Sequence, residues 1–145
     1  MIVVNMPSDP DNKKMSSYLR VFAIVLGLIG LAVSIYLLYA KLNNAFVICG
    51  VSTCGVVNSS KYSYLLGIPV SAYGVLFYLS IIGLLILKKY KLLFILSILG
   101  VIFSAYLTAL EIFVIHAWCQ WCVLSAWLTL ALFAIAFKLR KANDD

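Results

Sequence analysis

Residues 92–115, LLFILSILGVIFSAYLTALEIFVI, and residues 119–137, CQWCVLSAWLTLALFAIAF, decide the fold of this 145-residue chain. A helix needs roughly 20 apolar residues to cross a hydrocarbon core of ~30 Å, and both segments reach that length. Only His116-Ala117-Trp118 separates them, so the two helices must be antiparallel neighbours. Working outward, residues 21–40 and 68–87 are two further runs, and the four are each 19 to 24 residues long. The chain is 65% hydrophobic and 11% charged, whereas a soluble domain carries about 25% charged residues. The reading is an all-α membrane protein, an up-down-up-down bundle of four transmembrane helices.

The net charge of +6 would suit a nucleic-acid partner, but its placement gives a different explanation. Lys13, Lys14 and Arg20 precede the first span, Lys88, Lys89 and Lys91 lie between the second and third, and Lys138, Arg140 and Lys141 follow the fourth. The two remaining loops hold only Lys41 and Lys61. Basic residues accumulate on the cytoplasmic side of membrane proteins. Both termini are therefore expected in the cytoplasm of a cell (inner) membrane protein, with the other two loops outside. No nucleic acid is needed to account for the charge.

The expected organisation is a polar, disordered cytoplasmic tail over 1–17, a membrane domain over 18–140 and a short cytoplasmic tail over 141–145. The first apolar run is too long for the core of a cleaved signal peptide, so it is expected to stay as a helix. Gly27 and Gly30 would let another helix approach it closely. Asn43-Asn44 ends it. In the external loop, 45–67, the half over 56–66 mixes apolar residues with Asn58, Ser59, Ser60 and Lys61. That pattern suggests a short interfacial helix across the bundle mouth. Gly67-Ile68-Pro69 then opens the second span, with proline in its first turn.

All four cysteines fall on the external side. Cys49 and Cys54 lie in the first external loop, and Cys119 and Cys122 form a C-x-x-C at the start of the fourth helix. Outside the reducing cytosol, paired thiols form disulfides or exchange as disulfides. At a helix N-terminus, backbone N–H groups and the helix dipole favour a thiolate, and the i, i+3 spacing brings two sulfurs together. The pattern fits a relay between a protein and a lipid-soluble acceptor. Two structural disulfides, or a zinc site of four thiolates, are the other readings of the same residues. Trp118 and Trp121 suit an interfacial belt or a pocket wall, and His116 a loop.

Glu111 is the only carboxylate within a span, and an intramembrane acid is a functional candidate by default. It lies about four residues, or ~6 Å, below the external end of the third helix. Cys122 is at a similar depth on the fourth. A proton relay, a donor to a bound ligand and a simple helix-pairing hydrogen bond are all open to it.

Two stretches resemble the vitamin K epoxide reductase family. One is CGVSTCGVVNSSKYSYLLGIPVSAYGVLFY, residues 49–78, and the other is the fourth-helix WCQWCV. The family's loop cysteine pair, serine, aromatic and helix entry would be Cys49, Cys54, Ser59 or Ser60, Tyr62 and Gly67-Ile68-Pro69. The resemblance covers roughly 18–140. It implies a four-helix enzyme passing electrons from an extracytoplasmic thioredoxin-like thiol oxidase to a quinone of the menaquinone or ubiquinone type, so driving disulfide formation. It further implies that Cys49 meets the partner, Cys54 shuttles to Cys119, and Cys122 faces the quinone. Because the family's fused thioredoxin-like domain has no counterpart here, a separate partner protein is expected. Ser125-Ala126-Trp127 stand where vertebrate members carry a tyrosine, so epoxide reduction is not carried over.

Ser71, Tyr73, Tyr106 and Glu111 are the candidate polar contacts for the quinone, and no metal site is expected. The rival readings are a non-enzymatic scaffold with structural disulfides and an oxidase of the unrelated DsbB type. The latter places its C-x-x-C in the first external loop rather than the second.

Overall fold

The computed structural model describes residues 10–43, 61, 64–116 and 119–144. Helix α1 is Pro10–Leu42, strands β1 and β2 are Tyr64–Leu65 and Ile68–Pro69, and α2 is Val70–Ile86. Helix α3, Tyr90–Ala109, runs on into a π-helical segment, Leu110–Ile115, and α4 is Gln120–Asp144. Each helix packs on the next and α1 closes against α4, with α2 and α3 the most loosely joined pair. This is the expected four-helix bundle.

Among the described residues, three helices are long and apolar enough to cross a membrane: Lys13–Leu42, Tyr90–Ile115 and Gln120–Asn143. Large apolar side chains such as Phe22, Leu28, Leu99, Phe113 and Trp127 point outward along them. A soluble monomer seldom presents so continuous an apolar surface. At 17 residues, α2 is shorter than expected and sits at the lower limit for a span.

Its start explains the difference. Ile68 and Pro69, expected inside the second span, form the second strand of a hairpin in which Tyr64 faces Pro69 and Leu65 faces Ile68. Leu66 and Gly67 make the turn with φ of 55° and 80°, the positive pair that a two-residue hairpin requires. Pro69 is accordingly the N-cap of α2 rather than a residue of its first turn. The interfacial helix expected over 56–66 is corrected at its end, where Tyr64 and Leu65 are strand. Residues 56–60 and 62–63 lie outside the described residues. The Tyr73 hydroxyl donates to the Leu65 carbonyl at 3.0 Å, tying the hairpin to α2. Lys41 Nζ stands 4.4 Å from the centroid of the Tyr64 ring, tying it to α1.

The helix ends are closed by backbone and side-chain bonds. Asn43 stops α1, its backbone N–H and its Nδ2 both donating to the Tyr39 carbonyl at 3.1 and 3.0 Å. Lys88 takes a φ of 58°. Lys88 and Lys89 then donate to the carbonyls of Leu85 and Leu84 at 3.3 and 3.0 Å, a Schellman stop without its usual glycine. Helix α1 begins at Pro10 and α4 runs to Asp144. Residues 10–17, expected to be disordered, are thus helical, and α4 continues into the segment 141–145. Residues 1–9 lie outside the described residues.

The bundle is solid at one end and hollow at the other. Ala23, Tyr78, Ile81, Leu85, Leu93, Leu132 and Leu139 form a continuous core in the lysine-rich half. Lipid is as apolar as leucine, so helices in a membrane associate by close packing rather than by hydrophobic expulsion from water. Gly27 and Gly30 serve that role as expected. Cβ atoms there would meet Ile82 at 3.0 Å and overlap the Tyr78 ring, respectively.

Candidate functional site

The hollow half encloses a cavity of about 730 Å³ between all four helices and beneath the β1–β2 hairpin. Its walls are chiefly apolar, and polar side chains reach it from all four helices, with Glu111 at the end of α3 beside the two cysteines at the start of α4. Ser71, Tyr73, Tyr106 and Glu111, the four candidate ligand contacts, all line it, together with Cys119 and Cys122. Tyr106 is 50% exposed on the outer surface as well as lining the cavity. The Tyr73 hydroxyl is already committed to the Leu65 carbonyl. Its part at the site is thus to fasten the hairpin over the cavity while its ring forms wall.

Cys119 occupies the N-cap of α4, because its carbonyl accepts the first intrahelical bond, from Val123 N–H at 3.1 Å. Backbone N–H groups of Trp121 and Cys122 reach its sulfur. These are the N2 and N3 donors that a capping side chain normally satisfies, so here a sulfur does the work of a serine oxygen. Cys122, at N3, is hydrogen-bonded to Cys119 side chain to side chain. Both are free thiols. Cys119 is only 1% exposed, packed beside Ala40, Tyr36 and Leu37 of α1.

Glu111 completes the group. Its side chain is 5% exposed and bonds both to the Cys122 thiol and to the Cys119 backbone. Glu111 and Cys122, for which the sequence indicated only similar depth, are thus in contact, beside Cys119. His116 takes a left-handed conformation with φ of 52° and ψ of 37° and donates its backbone N–H to the Glu111 carbonyl. It is an exposed turn residue, as expected.

Trp121 is half-buried and does not line the cavity. It packs inward, its ring centroid 5.5 Å from that of Tyr36. Trp118 lies outside the described residues, as do Cys49, Cys54, Ser59, Ser60 and Tyr62. No cluster of metal-ligating side chains occurs among the described residues.

One part of the site was not anticipated. The Tyr78 hydroxyl lies 2.8 Å from Ser125 Oγ and 3.5 Å from Thr129 Oγ1, and Thr129 donates to the Ser125 carbonyl at 2.9 Å. These hydroxyls form the cavity floor. The signal was available in α4, where Cys122, Ser125 and Thr129 follow one another at helical spacing along one face.

A buried dithiol with an attendant carboxyl, opening on an apolar chamber in a helical bundle, is the equipment of a membrane thiol–disulfide oxidoreductase. The chain belongs to the vitamin K epoxide reductase family, whose family model matches residues 21–137. Among curated proteins, no sequence matches the chain. Membership makes it a membrane protein and an oxidoreductase of the disulfide- and quinone-handling kind.

Proposed function

We propose that the protein carries electrons from an extracytoplasmic thioredoxin-like thiol oxidase, through its two cysteine pairs, to a quinone dissolved in the membrane. The observation that carries this reading is the placement of the Cys119–Cys122 dithiol on the wall of a chamber of about 730 Å³. Ligand pockets of that size with apolar walls and few polar groups suit a small hydrophobic molecule. The bound quinone would supply the two-electron, two-proton acceptor. Ser71, Tyr106 and Glu111 are the polar groups proposed to orient it, and the Tyr73 ring is proposed as a wall.

Burial of Cys119 supports the role assigned to the loop. Cys119 is 1% exposed and packed against α1, which disfavours direct attack by a folded partner and favours delivery by a cysteine of the same chain. In this scheme the partner's thiolate attacks Cys49, Cys54 passes the electrons to Cys119, and Cys122 faces the acceptor. Thiol–disulfide exchange needs access to the attacked sulfur, which intramolecular shuttling provides.

Purified protein given a reduced thioredoxin-like donor and a soluble menaquinone or ubiquinone analogue is expected to reduce the quinone while oxidising the donor one for one. Absence of turnover with every donor and quinone pair, from protein whose thiols remain reactive, would favour a scaffold with structural disulfides.

The proposed orientation places both termini in the cytoplasm and all four cysteines outside. It rests on nine basic residues on one side against Lys41 and Lys61 on the other. After reduction, an impermeant thiol reagent is expected to label the cysteines in intact cells. Labelling restricted to inverted vesicles would overturn the orientation.

A further inference from the structure

We propose that Glu111 is the proton carrier of the reaction, accepting the protons released by Cys122 and Cys119 and delivering them to the quinone oxygens. The inference rests on the quinone reading above. It assigns to one side chain a task that the cysteines cannot perform alone. Oxidising a dithiol to a disulfide releases two electrons and two protons, and reducing a quinone to a quinol consumes both. Electrons can leave through sulfur, but protons need a group that binds and releases them in a chamber whose walls are chiefly apolar.

Glu111 is placed for that task. Its carboxyl touches the Cys122 thiol and the Cys119 backbone, it is 5% exposed to the outside, and it faces the cavity. The other titratable groups on the cavity wall are Lys41 on α1, Tyr73 and Tyr78 on α2, Tyr106 on α3, and the two thiols themselves. Tyr73 is bonded to the hairpin, Tyr78 to the hydroxyls of the floor, and Lys41 lies over the Tyr64 ring. Among the described residues, Glu111 is the carboxyl group that touches both the Cys122 thiol and the space where the acceptor would sit.

The balance is complete. As the Cys119 and Cys122 sulfurs bond to each other, both S–H bonds break and the electron pair passes to the quinone. The Cys122 proton goes to the Glu111 carboxylate that it touches and on to one quinone oxygen. The Cys119 proton reaches the same carboxylate through the Cys122 sulfur, to which Cys119 is hydrogen-bonded, and goes to the second oxygen. Two thiols and a quinone become a disulfide and a quinol, with no further oxidant or reductant.

A helix-pairing role for Glu111 makes a different forecast, because glutamine keeps the hydrogen bonds but cannot carry a proton. Glu111→Gln is expected to retain the wild-type melting temperature and to form the Cys119–Cys122 disulfide normally with a chemical oxidant. Quinone reduction should fall by roughly 100-fold or more, the scale of general acid–base catalysis. The loss should grow with pH, since protons must then come from bulk water. An infrared difference spectrum between dithiol and disulfide forms, recorded without quinone, should contain a carboxyl band that shifts in D₂O and vanishes in Glu111→Gln. Wild-type turnover in that variant, or a spectrum with no carboxyl change, would overturn the proposal. If the wild type shows the band yet reduces no quinone, Glu111 takes up the thiol proton, but the quinone reading fails and delivery to quinone oxygens fails with it.

Discussion

Replacing either Cys119 or Cys122 with serine is expected to abolish electron transfer to quinone, by at least about a thousandfold, without unfolding the protein. A hydroxyl neither ionises usefully at neutral pH nor forms a disulfide, so either change removes the two-electron carrier. The two positions differ structurally. Cys119 sulfur receives the N–H groups of Trp121 and Cys122 at the start of α4. Serine is among the best residues for that position, whereas alanine there costs about 1 kcal/mol. Cys119→Ser should therefore melt near the wild type, and Cys119→Ala measurably below it, although both are inactive. The pair of variants separates loss of chemistry from loss of a helix cap. Turnover within tenfold of wild type in either serine variant would remove the C-x-x-C from the reaction.

The same substitutions test the order of the relay. Without Cys122, a bond between Cys119 and a loop cysteine cannot be resolved from the α4 side. Removing Cys49 as well leaves Cys54 without its own resolving neighbour. A Cys54–Cys119 disulfide is then expected to accumulate, visible by mass mapping. A Cys49–Cys119 bridge in protein that keeps all four cysteines would reverse the two loop roles.

Much of this architecture is legible in the residues because it depends on sums. Lysine placement and the length of apolar runs specify a four-helix membrane bundle whatever the detailed packing. The direction of Glu111 is less so: Leu93, Ser97, Gly100 and Ser104 recur along one face of α3 at helical spacing, but Glu111 lies beyond it in the π-helical segment. The hairpin at Tyr64–Pro69 is not legible. Its turn uses Leu66 in a left-handed conformation, and leucine gives no local signal for positive φ. Only its tethers to Tyr73 and Lys41 justify that geometry, and those are tertiary. The π-helical end of α3 is hidden for the same reason, being a choice of hydrogen-bond register rather than of composition. The Tyr78–Ser125 pair joins residues 47 positions apart, so neither segment reveals it alone.

Gly30→Ala is expected to be the most damaging single methyl group that can be added to the described glycines of this bundle. A Cβ at Gly30 would overlap the ring of Tyr78, and that ring, 1% exposed and held in the core, has room only on the side of the cavity that it lines. Displacing it would break the 2.8 Å contact with Ser125 Oγ and push the cavity floor upward. Overpacking of this kind costs about 1–3 kcal/mol, here joined to a loss of turnover through a misshapen chamber. Gly83 supplies the control, because a Cβ there meets nothing within 4 Å. Gly83→Ala should be neutral or slightly stabilising, by up to ~1 kcal/mol from helix propensity. Thermal unfolding in detergent, alongside quinone turnover, reads both variants. If overlap is the cause, Tyr78→Ala will make the added methyl at Gly30 tolerable, so the double variant will be more stable than the sum of the single losses forecasts. Equal melting temperatures for Gly30→Ala and Gly83→Ala would mean that α1 and α2 do not approach each other through Gly30 and Tyr78.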